Sequence, residues 1–167
     1  MNIFVLDKNP ITAAQQQCDK HVVKMILESA QMLSTAHRIL DGDEPADKFG
    51  LYKKSHTNHP CSIWVRESNN NYRWLWIHMM ALGEEYTHRY GKTHKSITKL
   101  GKLLERFPLN IPRGQMTKFK LAMAQYPECM KEDPIESYRL YYQTKKDKFN
   151  MVWTNRNVPE WFNNAQI

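Results

Sequence analysis

Residues 18–33 read CDKHVVKMILESAQML. The stretch has helical periodicity, yet a helix this rich in Val, Met, Ile and Leu also carries His21, Lys24 and Glu28 at intervals of three and four. At 100° per residue, Gln17, His21, Lys24, Glu28, Gln31 and Thr35 fall within a sector roughly 80° wide, with Arg38 at its edge. Val22, Val23, Met25, Ile26, Leu27, Ala30, Met32 and Leu33 cover the flanks and back. A surface helix ordinarily has a narrower apolar stripe and a wide polar face. The pattern therefore predicts a central helix with one polar seam. Such a seam either pairs with other buried side chains or opens on a cleft. In the second case Glu28, His21 and Lys24 supply a carboxylate, an imidazole and a cation, groups suited to proton transfer or to stabilising a cationic intermediate.

The helix is expected to run unbroken from Pro10 or Ile11 to Leu40, with proline in its first turn and DGDEP (41–45) ending it. NIFVL (2–6) reads as a short strand or a buried arm. A second helix starts near His59–Pro60 and ends at HRYGK (88–92), with Trp64, Arg66 and Tyr72 within it or across a break at SNNN (68–71) and Gly91 as C-cap. Tyr72, Leu75, Trp76, Met79, Leu82 and Tyr86 form its core-facing stripe. Trp74 and Trp76 lie about 200° apart on an ideal helix, so either one is exposed or both sit between neighbouring helices. TKFKLAMA (117–124) reads as a short helix, and Asp133 with Pro134 starts another. No βαβ alternation or hairpin signal appears. The expected fold is all-α: a compact single domain over 1–167, built around the long first helix with a short extended N-terminal arm.

A chain of 167 residues suits one domain with a sizeable core. Its formal net charge of +7 points to an anionic partner, nucleic acid first. Cys18, Cys61 and Cys129, odd in number and without CxxC, argue against a disulfide framework and a structural zinc site. His56, His59 and Cys61 lack a second ligand pair, so no metal and no cofactor are expected. MNIFVLDKNP does not read as a signal peptide, and WLWIHMMALG (74–83) is too short to span a membrane. A cytoplasmic monomer is expected, in the host cytoplasm if the chain is phage-encoded.

Basic residues are interleaved with aromatics in NNNYRWLWIH, HRYGKTHKSITKLGK and YRLYYQTKKDK. Lys and Arg meet phosphates and aromatic rings stack on bases. Lys20, Arg38, His59, Arg66, Arg73, Arg89, Lys92, Lys95, Tyr138, Tyr141, Tyr142 and Lys145 are the expected DNA contacts. The competing reading is a solvated basic face over core tyrosines. P-loop, GxSxG and HExxH motifs are absent.

These residues resemble the phage and bacterial pyrimidine-dimer DNA glycosylases. CDKHVVKMILE looks like that family's first-helix run, in which an Asp and then a His precede the catalytic Glu by nine and seven positions, as Asp19 and His21 precede Glu28. MNIFVLDKNP is similar to its N-terminal segment. NHPCSIWVRES…WLWIHMMALGEEYTHRYGK resembles its second region, and SYRLYYQTKK its C-terminal Tyr-rich, Lys-containing segment. The resemblance implies a mostly helical DNA-binding domain in which an N-terminal α-amine attacks deoxyribose C1′, the base departs, a Schiff base forms and β-elimination nicks the strand. Glu28 is the implied catalytic carboxylate, and His21 orients it or the substrate. The best-known members expose a Thr amine after methionine removal. Here Met1 precedes Asn2, too large a residue to favour that removal, and the arm is longer. Lys20 or Lys24 is the alternative amine.

The expected function is a DNA glycosylase acting on a damaged or modified pyrimidine, with an AP-lyase step where an amine is in place. The alternatives are a DNA thymine hypermodification enzyme on a related scaffold, and a non-catalytic nucleic-acid-binding or host-interaction phage protein.

Overall fold

The stretch expected as one long helix is two. In the computed structural model, which describes residues 1–164, α1 (Pro10–Gln15) and α2 (Asp19–Asp41) are separated by a bend at residues 16–18. Cys18 there is extended, with φ −71° and ψ 164°. Its N–H donates to the Tyr142 hydroxyl at 2.9 Å, and the Asp19 N–H donates to the Val152 carbonyl at 2.8 Å. The helix breaks because distant residues take these amides, which nothing in the local sequence announces.

The remaining helices are α3 (Asp43–Lys48), α4 (Pro60–Val65), α5 (Asn69–Tyr90), α6 (Pro134–Gln143) and α7 (Glu160–Asn164), and no strand occurs among the described residues. Their ends follow local chemistry. The Ser68 hydroxyl caps α5 by accepting from Asn71 N–H, and the Asp133 carboxylate caps α6 by accepting from Ile135 N–H. Gly91 ends α5 at φ 69°, a left-handed backbone that favours glycine. A π-helical turn (Ile97–Gly101) and a 3-10 turn (Leu103–Glu105) follow α5. The helix expected over 117–124 is absent. Asn71 instead bonds the N–H of Thr117, and the Tyr138 hydroxyl bonds the Ala122 N–H and the Lys120 carbonyl, holding this segment open along the helices.

Helix α2 packs chiefly on α5, and α1 also rests on α5. Ile26, Leu33, Leu75, Met79 and Leu82 are fully buried in the core between them. Ile3, Phe4, Val5 and Leu6 are buried as well, so NIFVL is a buried arm. Both tryptophans of α5 lie between neighbours: the Trp74 indole donates to the Lys8 carbonyl and the Trp76 indole to the Gly101 carbonyl. The three cysteines are free and buried. No helix among the described residues is long and apolar enough to cross a membrane.

Two expected DNA contacts prove to be internal. Arg89 is buried, its guanidinium 3.0 Å from both Asp19 and Glu85 and donating to the Gln15 carbonyl. Glu85 also pairs with Arg156 at 2.7 Å, and Asp19 accepts from the Thr154 N–H at 2.9 Å, which ties residues 154–156 to both long helices. Arg38 is buried against Asp43 and Asp47 and donates to the Leu51 and Tyr52 carbonyls. Both guanidiniums are buried and bonded to acceptors within the chain. Removing one partner of a buried pair is costly, so Arg89→Met is expected to lose about 3 kcal/mol in urea unfolding. It should also increase proteolytic cleavage near residues 152–156.

Two buried histidines set an acid limit. Burial, then Lys145, Lys24 and Lys20, push His21 down to about 3; burial pushes His78 down to about 4. Between about pH 6.5 and 4.5 the unfolded chain binds protons that the folded chain refuses. The stabilisation is complete above the unfolded value and is lost as pH falls, by about 1.4 kcal/mol per pH unit for each histidine. The melting temperature should drop across that interval, with a shallower slope in His21→Gln.

Candidate active site

Asn2 organises the start of the chain. It is buried, and its side-chain oxygen accepts from the N–H groups of Ile3 at 2.8 Å and Phe4 at 3.0 Å. Its side-chain amide donates to the Ala122 carbonyl at 3.0 Å. This tight turn holds Phe4 at φ 56°, a left-handed conformation rare for a residue with a bulky side chain. The Phe4 ring then stacks on His21 with centroids 4.5 Å apart. The Arg139 guanidinium holds the far end of the arm by donating to the Leu6 carbonyl at 2.8 Å.

Folded this way, the arm lies along the polar seam of α2. Gln17 donates to the Ile3 carbonyl at 3.1 Å. Glu28 accepts from the Asn2 N–H at 3.1 Å, and the same oxygen stands 3.5 Å from the α-amine of Met1. The other Glu28 oxygen is 3.8 Å from the exposed Lys24 ammonium. The Met1 side chain is buried, its sulfur accepting a weak contact from the Ser62 hydroxyl at 3.7 Å. Further along the seam, Thr35 bonds the Ser55 backbone and Arg38 the 51–52 carbonyls. Both readings of the seam therefore hold in part. Most of it is satisfied internally, while Glu28 meets the Met1 amine on one oxygen and the Lys24 ammonium on the other.

His21 shares a 2.7 Å hydrogen bond with the Tyr142 hydroxyl. No hydrogen bond joins it to Glu28 among the described residues. Burial and three lysines hold its titration well below the usual range, and it supports the arm through Phe4. His59 caps α4 through Nδ1, and burial first, then the Met1 amine, push its own titration down.

The other expected contacts separate by exposure. Lys20 stands over Phe149 at 4.4 Å, and Lys145 over Tyr141 at 4.7 Å and Phe4 at 5.3 Å, so these residues gather round the arm. Lys92 and Lys95 are exposed just beyond α5, and Arg73 is exposed over the Phe107 ring. Arg66 is half-buried and donates to the Ser62 carbonyl. Tyr138 and Tyr142 are fully buried, so they are core tyrosines and not stacking surfaces. Sequence reasoning missed Asn2, Phe4, Tyr126 and Lys148; only the short polar residue ahead of the apolar run hinted at the first. No group of three His, Cys, Asp or Glu residues that could hold a metal occurs among the described residues.

The arrangement sets a primary amine beside a carboxylate that is largely screened from water, with lysines and aromatic rings around them. A sequence model described as pyrimidine dimer DNA glycosylase matches residues 1–98, more than half of the chain. No curated protein and no solved structure matches it.

Proposed function

The chain belongs to the pyrimidine dimer DNA glycosylase family, and from that premise we propose that it cleaves the glycosyl bond of a damaged pyrimidine in DNA and nicks the strand, with the Met1 α-amine as nucleophile and Glu28 as its proton acceptor. The observation that supports this reading is the 3.5 Å separation of that amine from Glu28. The Met1 side chain is buried beside this pair, while Lys24 is exposed and stands 3.8 Å from the other Glu28 oxygen. That favours Met1 over Lys24.

The amine lone pair attacks C1′. The bond from C1′ to the base breaks, and its electron pair leaves with the base, which takes up a proton. Glu28 accepts the proton lost by the attacking nitrogen and returns it to O4′ as the sugar ring opens, which leaves an iminium that the carboxylate stabilises. Loss of a C2′ proton then expels the 3′ phosphate with the electron pair of its C3′–O bond. Lys20, Lys24 and Lys145 are the proposed phosphate contacts, and Tyr141 the proposed stacking surface. The Asn2 nitrogen lies on the same Glu28 oxygen as the Met1 amine. An amine exposed by methionine removal would therefore meet the same carboxylate.

Borohydride trapping on duplex DNA bearing a thymine dimer tests the amine. The covalent adduct should map to the peptide beginning at Met1. Mapping to Lys24 would transfer the nucleophile there, and no adduct at all would remove the lyase step. Glu28→Gln should slow glycosyl-bond cleavage by about 10²–10⁴-fold while DNA affinity persists. Cleavage surviving in that variant would show the site to be wrongly placed, and a nucleoside mass profile of the treated DNA separates glycosyl-bond cleavage from base modification.

A further inference from the structure

A cavity of about 90 Å³ opens where the C-terminal end of α2 meets α3 and residues 103–109. Asp41, in its wall, lies about 20 Å along α2 from Glu28 by helical rise. Ala46, Phe49, Leu51, Leu103 and Phe107 supply most of the lining. The polar side chains there are turned to other tasks. His37 shares a 2.9 Å hydrogen bond with the Tyr72 hydroxyl, and the Arg106 guanidinium lies 5.5 Å over the Phe49 ring. The cavity is well below the ~300–1,000 Å³ of sites for drug-sized ligands, and its size and walls suit one apolar side chain.

Leu109 stands on the rim of this cavity. It is 86% exposed, the most exposed large hydrophobic side chain among the described residues. The turn that presents it is fixed from below. Asp41 accepts from the Leu109 N–H at 2.7 Å, from the Asn110 N–H at 3.0 Å and from the Asn110 side-chain amide at 2.9 Å. Pro108 and Ile111 on either side are buried. Phe49 and Leu103 are exposed beside the opening, so an apolar patch surrounds it. The charges at this face are balanced. Asp43 and Asp47 are paired with Arg38 at 3.0 and 2.9 Å. Glu44, Lys48, Glu105 and Arg106 are exposed and form no ion pair among the described residues. Acids and bases left free here are thus equal in number, on a chain whose formal net charge is +7.

We propose that this face joins two copies of the chain about a twofold axis, the Leu109 side chain of each copy entering the cavity of the other. A dimer takes the place of the monomer expected from the sequence, and it does not depend on the catalytic reading. A twofold contact uses one patch on both partners, so that patch must carry a projection and its receptacle together. Leu109 and the cavity it borders meet that condition. The charges select the same occupant. Nucleic acid would call for an excess of cations, and a charged peptide for an excess of the opposite sign. A second copy brings the same balanced set, so acids of one copy meet bases of the other across the axis. Elsewhere the net positive charge of two copies opposes their contact. A turn already fixed by Asp41 loses little freedom when its leucine is buried. The amine–carboxylate pair, about 20 Å away along α2, stays uncovered.

Sedimentation equilibrium of the full chain over a dilution series tests the dimer. Wild-type protein should approach twice the chain mass at the concentrated end. Leu109→Asp should raise the dimer dissociation constant at least about a hundredfold, because the twofold contact loses a buried leucine on each side. Leu109 is exposed in the single chain, so wild type and variant should share one circular dichroism spectrum and one melting temperature when both are dilute. Wild-type protein that keeps the single-chain mass throughout overturns the proposal, and so does a dimer as tight in Leu109→Asp as in wild type. Cross-linking locates the contact. A diazirine side chain placed at position 109, in a mixture of isotopically heavy and light chains, should link heavy to light through residues 45–51 or 103–107. Links confined to one chain, or heavy-to-light links elsewhere, overturn the proposal.

Discussion

Glu28 meets two consecutive main-chain nitrogens, pairing with the amine of Met1 and accepting from the amide of Asn2, and the geometry of the whole site follows from that contact. A carboxylate so little exposed is costly unless paired and hydrogen-bonded. The arm answers both needs at once, with a cation and an N–H on one oxygen. In return the carboxylate gives the arm a fixed end, from which Ile3–Leu6 enter the core. The Asn2 turn makes this path possible at the cost of a left-handed Phe4, and stacking on His21 offsets that strain. Folding itself therefore assembles amine and carboxylate, so little reorganisation remains for a bound substrate to cause.

The charges divide by residue type. Arg38, Arg89 and Arg156 are engaged with internal carboxylates, whose planar fork geometry they match. Glu85 is opposed by burial yet held below the usual carboxylate range by Arg156 and Arg89. The lysines behave differently. Lys20, Lys145 and Lys148 hold their ammonium groups over the rings of Phe149, Tyr141 and Tyr126. Exposed lysines also lie beyond α5, at Lys92 and Lys95. DNA is the substrate implied by the family.

Local chemistry was readable where a feature depends on neighbours in the chain. The polar seam of α2, the Gly91 stop and the Asp133–Pro134 start all follow from periodicity or capping, and the structure has them. The Asp19, His21 and Glu28 spacing singled out the carboxylate that faces the amine. Other features have no local signature. Arg89 and Lys92 read alike as basic residues, yet one is buried against Asp19 and the other exposed. Tyr138 and Tyr141 share a segment, but their different faces of α6 make one core and the other cleft lining.

The amino-acid sequence by itself determined an α-helical chain, a central helix with one polar strip and a net positive charge. Helical periodicity and charge are properties of short stretches, and they survive whatever the rest of the chain does. Only the tertiary structure decided that the first helix bends at Cys18, that residues 117–124 stay extended, and that Met1 meets Glu28. Each of these depends on hydrogen bonds across tens of residues or more: Tyr142 to Cys18, Asn71 to Thr117, Asn2 to Ala122. A backbone amide pairs with whichever acceptor the packed chain brings to it, and that choice is made by the fold as a whole.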